Sequence, residues 1–310
     1  MKKDELEMQI IGLDIGRGFS KGYTEYNGTN KECLFKSVVA IGRDMNFENY
    51  DDPIYLEVKK EPFFAGLLAE VEGDSPTQNL KDDKTTVTVE KLIYAALNKL
   101  AVSENIKIML GVPKKLFTKS DLIKIQNKYK GLEVEIKDKI TGAYKKITIK
   151  DISIFREGDA ALIWHVRNKE NSEKSLCMAN IGFRTTEIST YDRHMHFIDK
   201  LSQTFDPLGN KTALEFVQRC LSASDEKVMK DLTEIDTSED YNDLKDTAYK
   251  NLSENIEQKL EGLLVNPSEY DIFICGGTAL KLNFNEYTVV EDSQMITAKG
   301  LYKVGTTMFK

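Results

Sequence analysis

The chain has little from which to build a disulfide framework or a Cys/His metal site. Its four cysteines, Cys33, Cys177, Cys220 and Cys275, are scattered without a CxxC pair, and the three histidines add no matching spacing. Two of the cysteines end apolar runs, where free cysteine packs as a small hydrophobe, and a reducing, cytoplasmic setting is expected. Long hydrophobic runs are absent too. None approaches the ~20 residues that cross a bilayer, so no membrane partner is expected. The charged residues 1–7 lead directly into a strand pattern and do not resemble a secretory signal. Positive charge is in deficit, with 43 Lys and Arg against 50 Asp and Glu and a formal net charge of −7. Binding DNA through a whole basic surface is thereby disfavoured, and any association with DNA is expected to run through a partner protein.

What is present is a pair of glycine-rich turns, each opening at the end of a short apolar strand. The first is Asp14-Ile15-Gly16-Arg17-Gly18-Phe19-Ser20-Lys21-Gly22, after the apolar run 8–13. The second is Asn180-Ile181-Gly182-Phe183-Arg184-Thr185-Thr186-Glu187, after the run 175–179. Glycines let a backbone reverse sharply and bring its N–H groups against an anion without interference from a Cβ. Two such turns far apart suggest two halves of one α/β fold gripping a phosphate chain, and 310 residues is long enough for two lobes.

The order of patterns supports a duplicated architecture. In the first half, strand–turn–strand (8–26) is followed by a strand at 36–40, a polar loop at 43–52, a hairpin (54–58 and 61–65) and a helical turn at 66–70. The polar stretch 72–84 reads as a surface loop. A helix at 87–102, a buried strand at 106–110, a helix at 121–129 capped by Ser120, strands at 132–136 and 144–155, and a helix at 157–166 complete the half. The charged segment 168–174 is the best boundary. Beyond it come strands at 175–179, 186–191 and 194–205, a largely helical region 211–264 broken near 222–225 and 236–238, and a strand at 272–275 ending in Gly276-Gly277.

Several residue types have chemistry to match. A strand-end carboxylate such as Asp14 can hold Mg²⁺ directly or through water. Gly16, Arg17 and Gly18 can offer backbone donors to phosphate, and Lys21 a point charge. Glu157, at a strand-to-helix junction, can position an attacking water. It fits equally a carboxylate that merely stabilises a helix N-terminus. Gly276-Gly277-Thr278 suits close approach to a nucleoside. His194 and His196, two apart on the expected strand, lack a third ligand and read as packing or exposed residues. The acidic stretch 225–246 reads as the solvated side of helices.

These segments, in this order, resemble the actin-like ATPase superfamily. Asp14–Gly22 resembles its first phosphate motif, 180–185 its second, 275–279 its adenosine motif, 157–161 its first connecting motif and 298–301 its second connecting helix. Within the superfamily the sequence is most similar to bacterial ParM-type plasmid-segregation actins, through 63–69, Gly111-Val112-Pro113 and Pro207-Leu208-Gly209-Asn210. The resemblance implies an α/β, actin-like fold of two related RNase H-like lobes with a nucleotide cleft between them. Lobe I would span 1–166, completed by 294–310, and lobe II 175–293. It further implies ATP or GTP bound with Mg²⁺, hydrolysis coupled to polymerisation into a homopolymer, and a centromere-binding adaptor that links the filament to DNA.

The implied catalytic set is Asp14, Asn180 and Glu157, with Asp14 on the metal. The implied nucleotide contacts are Gly16, Arg17, Gly18, Ser20, Lys21, Gly182, Phe183, Arg184, Thr185, Gly209, Gln258, Lys259, Gly276, Gly277 and Thr278. One position departs from the pattern: the second phosphate motif usually opens with Asp, and Asn180 can neither carry charge nor accept a proton. Slower hydrolysis or altered Mg²⁺ handling is the expected consequence. Two other readings compete. A small-molecule kinase of the same two-lobed fold would need a catalytic aspartate, for which Asp159 is the candidate. The other is a non-segregating actin-like scaffold.

Overall fold

The computed structural model of the chain describes residues 8–168, 172–223 and 230–310. The chain divides into two compact units, one made of the chain up to Trp164 together with Thr297–Lys310, the other of His165–Ile296.

The first unit opens with β1 (Gln9–Ile15), β2 (Phe19–Tyr26), β3 (Thr29–Lys36) and β4 (Val38–Ile41). The hairpin β5 (Ile54–Val58) and β6 (Glu61–Ala65), then α1 (Leu67–Glu72) and β7 (Asp74–Gln78), follow. Next come α2 (Val87–Leu100), β8 (Asn105–Val112), α3 (Lys119–Tyr129), β9 (Glu133–Asp138), β10 (Tyr144–Arg156) and α4 (Glu157–Val166), within which the division falls. The strands join in a ten-stranded sheet of order β3-β2-β1-β8-β10-β9-β5-β6-β4-β7. β1, β8 and β10 lie side by side and parallel. Their carboxyl ends therefore emerge at one edge, the place where the turns of an open α/β sheet meet ligands. On one face Ile11, Leu13 and Ile15 of β1 are buried with Leu92, Ile93, Leu97 and Leu100 of α2, which presents its apolar stripe at helical spacing.

The second unit holds β11 (Ser175–Ile181), β12 (Thr186–Tyr191), β13 (Gln203–Phe205), α5 (Asn210–Ala223), α6 (Leu232–Thr237), α7 (Asn242–Leu263), β14 (Tyr270–Cys275) and β15 (Thr288–Val289). Its five strands run in the order β13-β12-β11-β14-β15. Ala213 and Val217 of α5 and Leu252, Ile256 and Leu260 of α7 pack with Ile181, Ile188 and Ile274 of the sheet. The last helix, α8 (Ile296–Met308), returns to the first unit. It lies directly on the other face of β1 and against α4, because glycines remove the intervening side chains. A Cβ on Gly12 would sit 2.3 Å from both the Ala298 carbonyl oxygen and the Tyr302 nitrogen, and one on Gly300 1.9 Å from the Ala160 carbonyl oxygen. Leu301 and Val304 close this contact against Met109 and Ala160.

Several elements differ from the expectation. Residues 29–36 form a full strand at the sheet edge, half of its residues exposed, where none is expected before Lys36. Residues 74–78 form the opposite edge strand, β7, rather than loop. An edge strand needs only one neighbour and no apolar alternation, and it tolerates Pro76. Thr118, not Ser120, caps α3: its hydroxyl accepts the Asp121 N–H at 3.1 Å. The strand expected over 194–205 is broken. The Asp192 carboxylate accepts the His194 and His196 N–H groups at 2.8 and 2.9 Å, so both histidines sit on an exposed turn, and strand resumes only at Gln203. The readings of residues 1–7, and parts of those of 168–174, 222–225 and 225–246, lie outside the described residues.

Candidate functional site

At the end of β1 the chain reverses over Gly16, Arg17 and Gly18. The turn is closed by the Gly16 N–H, which donates to the Phe19 carbonyl at 3.1 Å, so that donor serves the turn itself. Asp14 and Lys21 are ladder partners across the hairpin, and Lys21 Nζ donates to Asp14 Oδ2 at 3.0 Å, both side chains being largely buried. The Arg17 side chain is ion-paired with Asp82, which also takes Lys115 Nζ at 2.6 Å. Ser20 is not presented at the turn: its hydroxyl is 2.9 Å from that of Ser37, and both residues are fully buried. Its role is to hold β2 to the start of β4.

Glu157 is the first residue of α4, directly after β10. The missing side chain at Gly111 gives it room, since a Cβ there would stand 3.0 Å from Glu157 Cγ. Lys84 Nζ lies 3.4 Å from Glu157 Oε1. Burial raises the Glu157 carboxyl above its ordinary value and the neighbouring Asp14 charge adds to this, against the opposing pull of Lys84 and Lys21. A carboxylate made more basic in this way is suited to accept a proton from water. Asp159, two residues further along α4, is fully buried and ion-paired with Arg156.

The second unit repeats the first turn closely. β11 and β12 pair antiparallel as β1 and β2 do, and β11 runs parallel to β14 as β1 does to β8. The Gly182 N–H donates to the Thr185 carbonyl at 2.8 Å, the counterpart of the Gly16 closure. Asn180 thus stands where Asp14 stands. Its ladder partner is the buried Glu187, where the first hairpin has Lys21.

Two further turns press on this one. A Cβ on Gly209 would lie 2.5 Å from the Gly182 carbonyl oxygen, and one on Gly276 2.2 Å from that of Ile181 and 2.8 Å from Asn180 Oδ1. Gly276 also has φ of 103°, open to glycine alone. The Gly182 carbonyl accepts from the Asn210 N–H at 3.2 Å and from the Thr278 hydroxyl at 2.9 Å, while Gly277 precedes the short helical turn that Thr278 begins. Arg184 Nε is held at 2.7 Å by Asp206, and Phe183 packs against the core. Gln258 and Lys259 lie on α7. Gln258 lines an open groove of about 310 Å³ between α5 and α7, and Lys259 Nζ lies 5.7 Å over the ring of Phe205, the ladder partner of Thr186.

Among the described residues no three His, Cys, Asp or Glu side chains are grouped to hold a metal by themselves. The donors do fit Mg²⁺, which is commonly held by one or two carboxylates with the rest of its shell taken from phosphate and water. Asp14, a hard oxygen donor at a turn beside a lysine, is of that kind. Lys84, Asn79 and Gln78 were missed in the sequence because their roles depend on contacts 61 to 69 residues away.

Residues 12–158 match the family of actin like proteins, N-terminal domain. Among curated proteins none matches the sequence. Solved structures do match. A ParM from Clostridium botulinum, in a 15-stranded filament, is 21% identical with a TM-score of 0.83, over 98% of this chain and 100% of that one. The archaeal actin homologue Ta0583, also solved in complex with ADP, is 15% identical with a TM-score of 0.81, over 97% and 100%. Alp12, in its filament structure, is 20% identical with a TM-score of 0.69, over 98% and 99%. Residues 12–158 thus match the N-terminal domain of the actin-like proteins, and over its length the chain has the actin-like fold.

Proposed function

We propose that the chain is a filament-forming, actin-like nucleoside triphosphatase that binds ATP, or GTP, with Mg²⁺ and polymerises to move plasmid DNA through an adaptor protein. The observation that carries the reading is the buried Asp14–Lys21 pair at a glycine turn with Glu157 nearby, together with a second turn of the same construction in the other unit. The filaments of the C. botulinum ParM and Alp12, and the ADP complex of Ta0583, are in keeping with it.

In this reading Asp14 holds Mg²⁺, whose charge offsets that of the phosphates. Lys21 and the N–H groups of Arg17 and Gly18 bind phosphate oxygens in the first turn, and the Gly182–Thr185 turn does so in the second. The Gly276–Thr278 turn approaches the nucleoside. Glu157 orients the attacking water and takes its proton. Polymerisation accompanies nucleotide binding because both favour the same conformation. The adaptor supplies the contact with DNA, in keeping with the net charge of −7. No helix among the described residues is long and apolar enough to cross a membrane, and a cytoplasmic setting is part of the proposal. Asp159, the candidate acid of the kinase alternative, is fully buried and ion-paired with Arg156, which does not favour that reading.

High-speed pelleting with ATP, GTP, ADP and no nucleotide, followed by electron microscopy, tests the reading. Nucleotide-dependent filaments are expected, with phosphate released in the absence of any hydroxyl acceptor. No nucleotide-dependent pellet at tens of micromolar protein would sink it. Asn180→Asp restores a carboxylate at the second turn and is expected to speed phosphate release several-fold. An equal or slower variant would show that position 180 does not limit the reaction.

A further inference from the structure

The segment that leads from β7 into α2 crosses the first glycine turn and takes hold of its carbonyl groups in succession. Lys84 Nζ donates to the Ile15 carbonyl at 2.7 Å, Asn79 Nδ2 to that of Gly16 at 3.1 Å and Gln78 Nε2 to that of Arg17 at 3.4 Å. The Ser37 N–H takes the Gly18 carbonyl at 2.9 Å, and Asp82 holds the Arg17 side chain. In a trans peptide the N–H points away from the C=O that precedes it. Anchoring the Gly16 and Arg17 carbonyls on this strap therefore turns the Arg17 and Gly18 N–H groups to the opposite side, the orientation that phosphate binding requires.

Lys84 differs from the other strap residues in reaching a second group. It is the one lysine buried from solvent among the described residues. Its own carbonyl is fixed by the Tyr129 hydroxyl at 2.8 Å. The preceding residue, Asp83, is fixed by the Thr85 N–H at 2.8 Å and Lys124 Nζ at 2.6 Å. From this rigid base the ammonium spends one donor on the Ile15 carbonyl and another on Glu157 Oε1 at 3.4 Å. A buried ammonium is costly unless it is paired and hydrogen-bonded, and Glu157 is the carboxylate that pairs with it.

We infer that Lys84 is a positioning residue for the proposed hydrolysis, tying the Glu157 carboxylate to the floor of the phosphate turn. The group that orients the water and the turn that binds the phosphate then share one fixed cation between them, which sets the distance from nucleophile to target. This inference rests on the functional proposal above. It goes beyond that proposal by assigning a role to a residue outside every glycine turn and every connecting segment.

The test compares the full-length wild type, Lys84→Met, Glu157→Gln and the double variant in steady-state phosphate release, equilibrium binding of ATP and thermal unfolding. Lys84→Met is expected to lower kcat by about 100-fold, within the range that a positioned proton acceptor contributes, with KM and the ATP dissociation constant changed less than threefold. A residue that merely stabilised the unit would shift the unfolding temperature and leave kcat of the folded fraction alone. The double variant is expected to turn over no more slowly than Glu157→Gln, because residues that act as one unit are not additive. A kcat for Lys84→Met within threefold of wild type overturns the inference. So does a double variant slower than Glu157→Gln by a further factor of ten, and this comparison carries the test if Lys84→Met alone does not fold. Absence of turnover in the wild type overturns the functional proposal and this inference with it.

Discussion

Glu157→Gln is expected to lower phosphate release by about 100-fold or more, while filaments still form and then persist. Glutamine keeps the side chain's length and an oxygen for Lys84, which stands 3.4 Å from Glu157 Oε1, so the local packing is retained. What is lost is the negative charge and the capacity to accept a proton, raised in this carboxylate by burial and by Asp14. Removal of a positioned general base typically costs about 10²- to 10⁴-fold. Nucleotide binding relies on other groups, chiefly Lys21 and the turn backbone, and is expected to change little. The measurement is phosphate release alongside a time course of pelleting after a limiting pulse of ATP. Phosphate release within threefold of wild type would remove Glu157 from the mechanism.

The largest structural effect is expected from a single methyl group. Gly300→Ala would place a Cβ 1.9 Å from the Ala160 carbonyl oxygen and 2.3 Å from its carbonyl carbon. The obstacle is backbone, not the end of a flexible side chain, so α8 must move away from α4 and loosen Leu301 from Met109 and Ala160. Overpacking of this kind costs about 2–3 kcal/mol, a fall in unfolding temperature on the order of 5–10 °C for a unit of this size. Helix propensity alone would give the opposite sign, since alanine is favoured over glycine by about 1 kcal/mol in a helix interior. Gly262→Ala, near the end of α7 with nothing within 4 Å of the added Cβ, isolates that term and is expected to stabilise by about 0.5 kcal/mol. Calorimetry of both variants decides the matter. An unchanged or raised transition for Gly300→Ala would mean that α8 is not seated on α4 as described.

The parts of the molecule legible in the sequence are those whose causes are local. The hairpin 54–58 and 61–65 and the helix Glu157–Val166 appear at the expected residues, because apolar alternation and the strand-to-helix junction lie within each segment. Both glycine turns were also evident, since reversal after a buried strand leaves a mark on consecutive residues. The edge strands β3 and β7 were not, because half of their environment is water and charged residues satisfy it. The strap was hidden for a different reason. Lys84, Asn79 and Gln78 look like polar loop residues, and only the fold brings them onto carbonyl groups of the first turn. Ser20 shows the converse: its place in a phosphate motif implies a ligand contact, whereas the β2–β4 junction claims its hydroxyl.

The return of α8 to the first unit also governs the order in which a nascent chain can finish folding. While the chain is no longer than Trp164, the face of β1 and β8 that α8 covers, with Met109, Ala160 and the bare backbone of Gly12, has no lid. All of the second unit is made before Thr297–Lys310 leaves the ribosome, a delay on the order of ten seconds at ordinary elongation rates. The unit that is synthesised first is therefore completed last, and a fusion placed after Lys310 begins beside the helix that completes it.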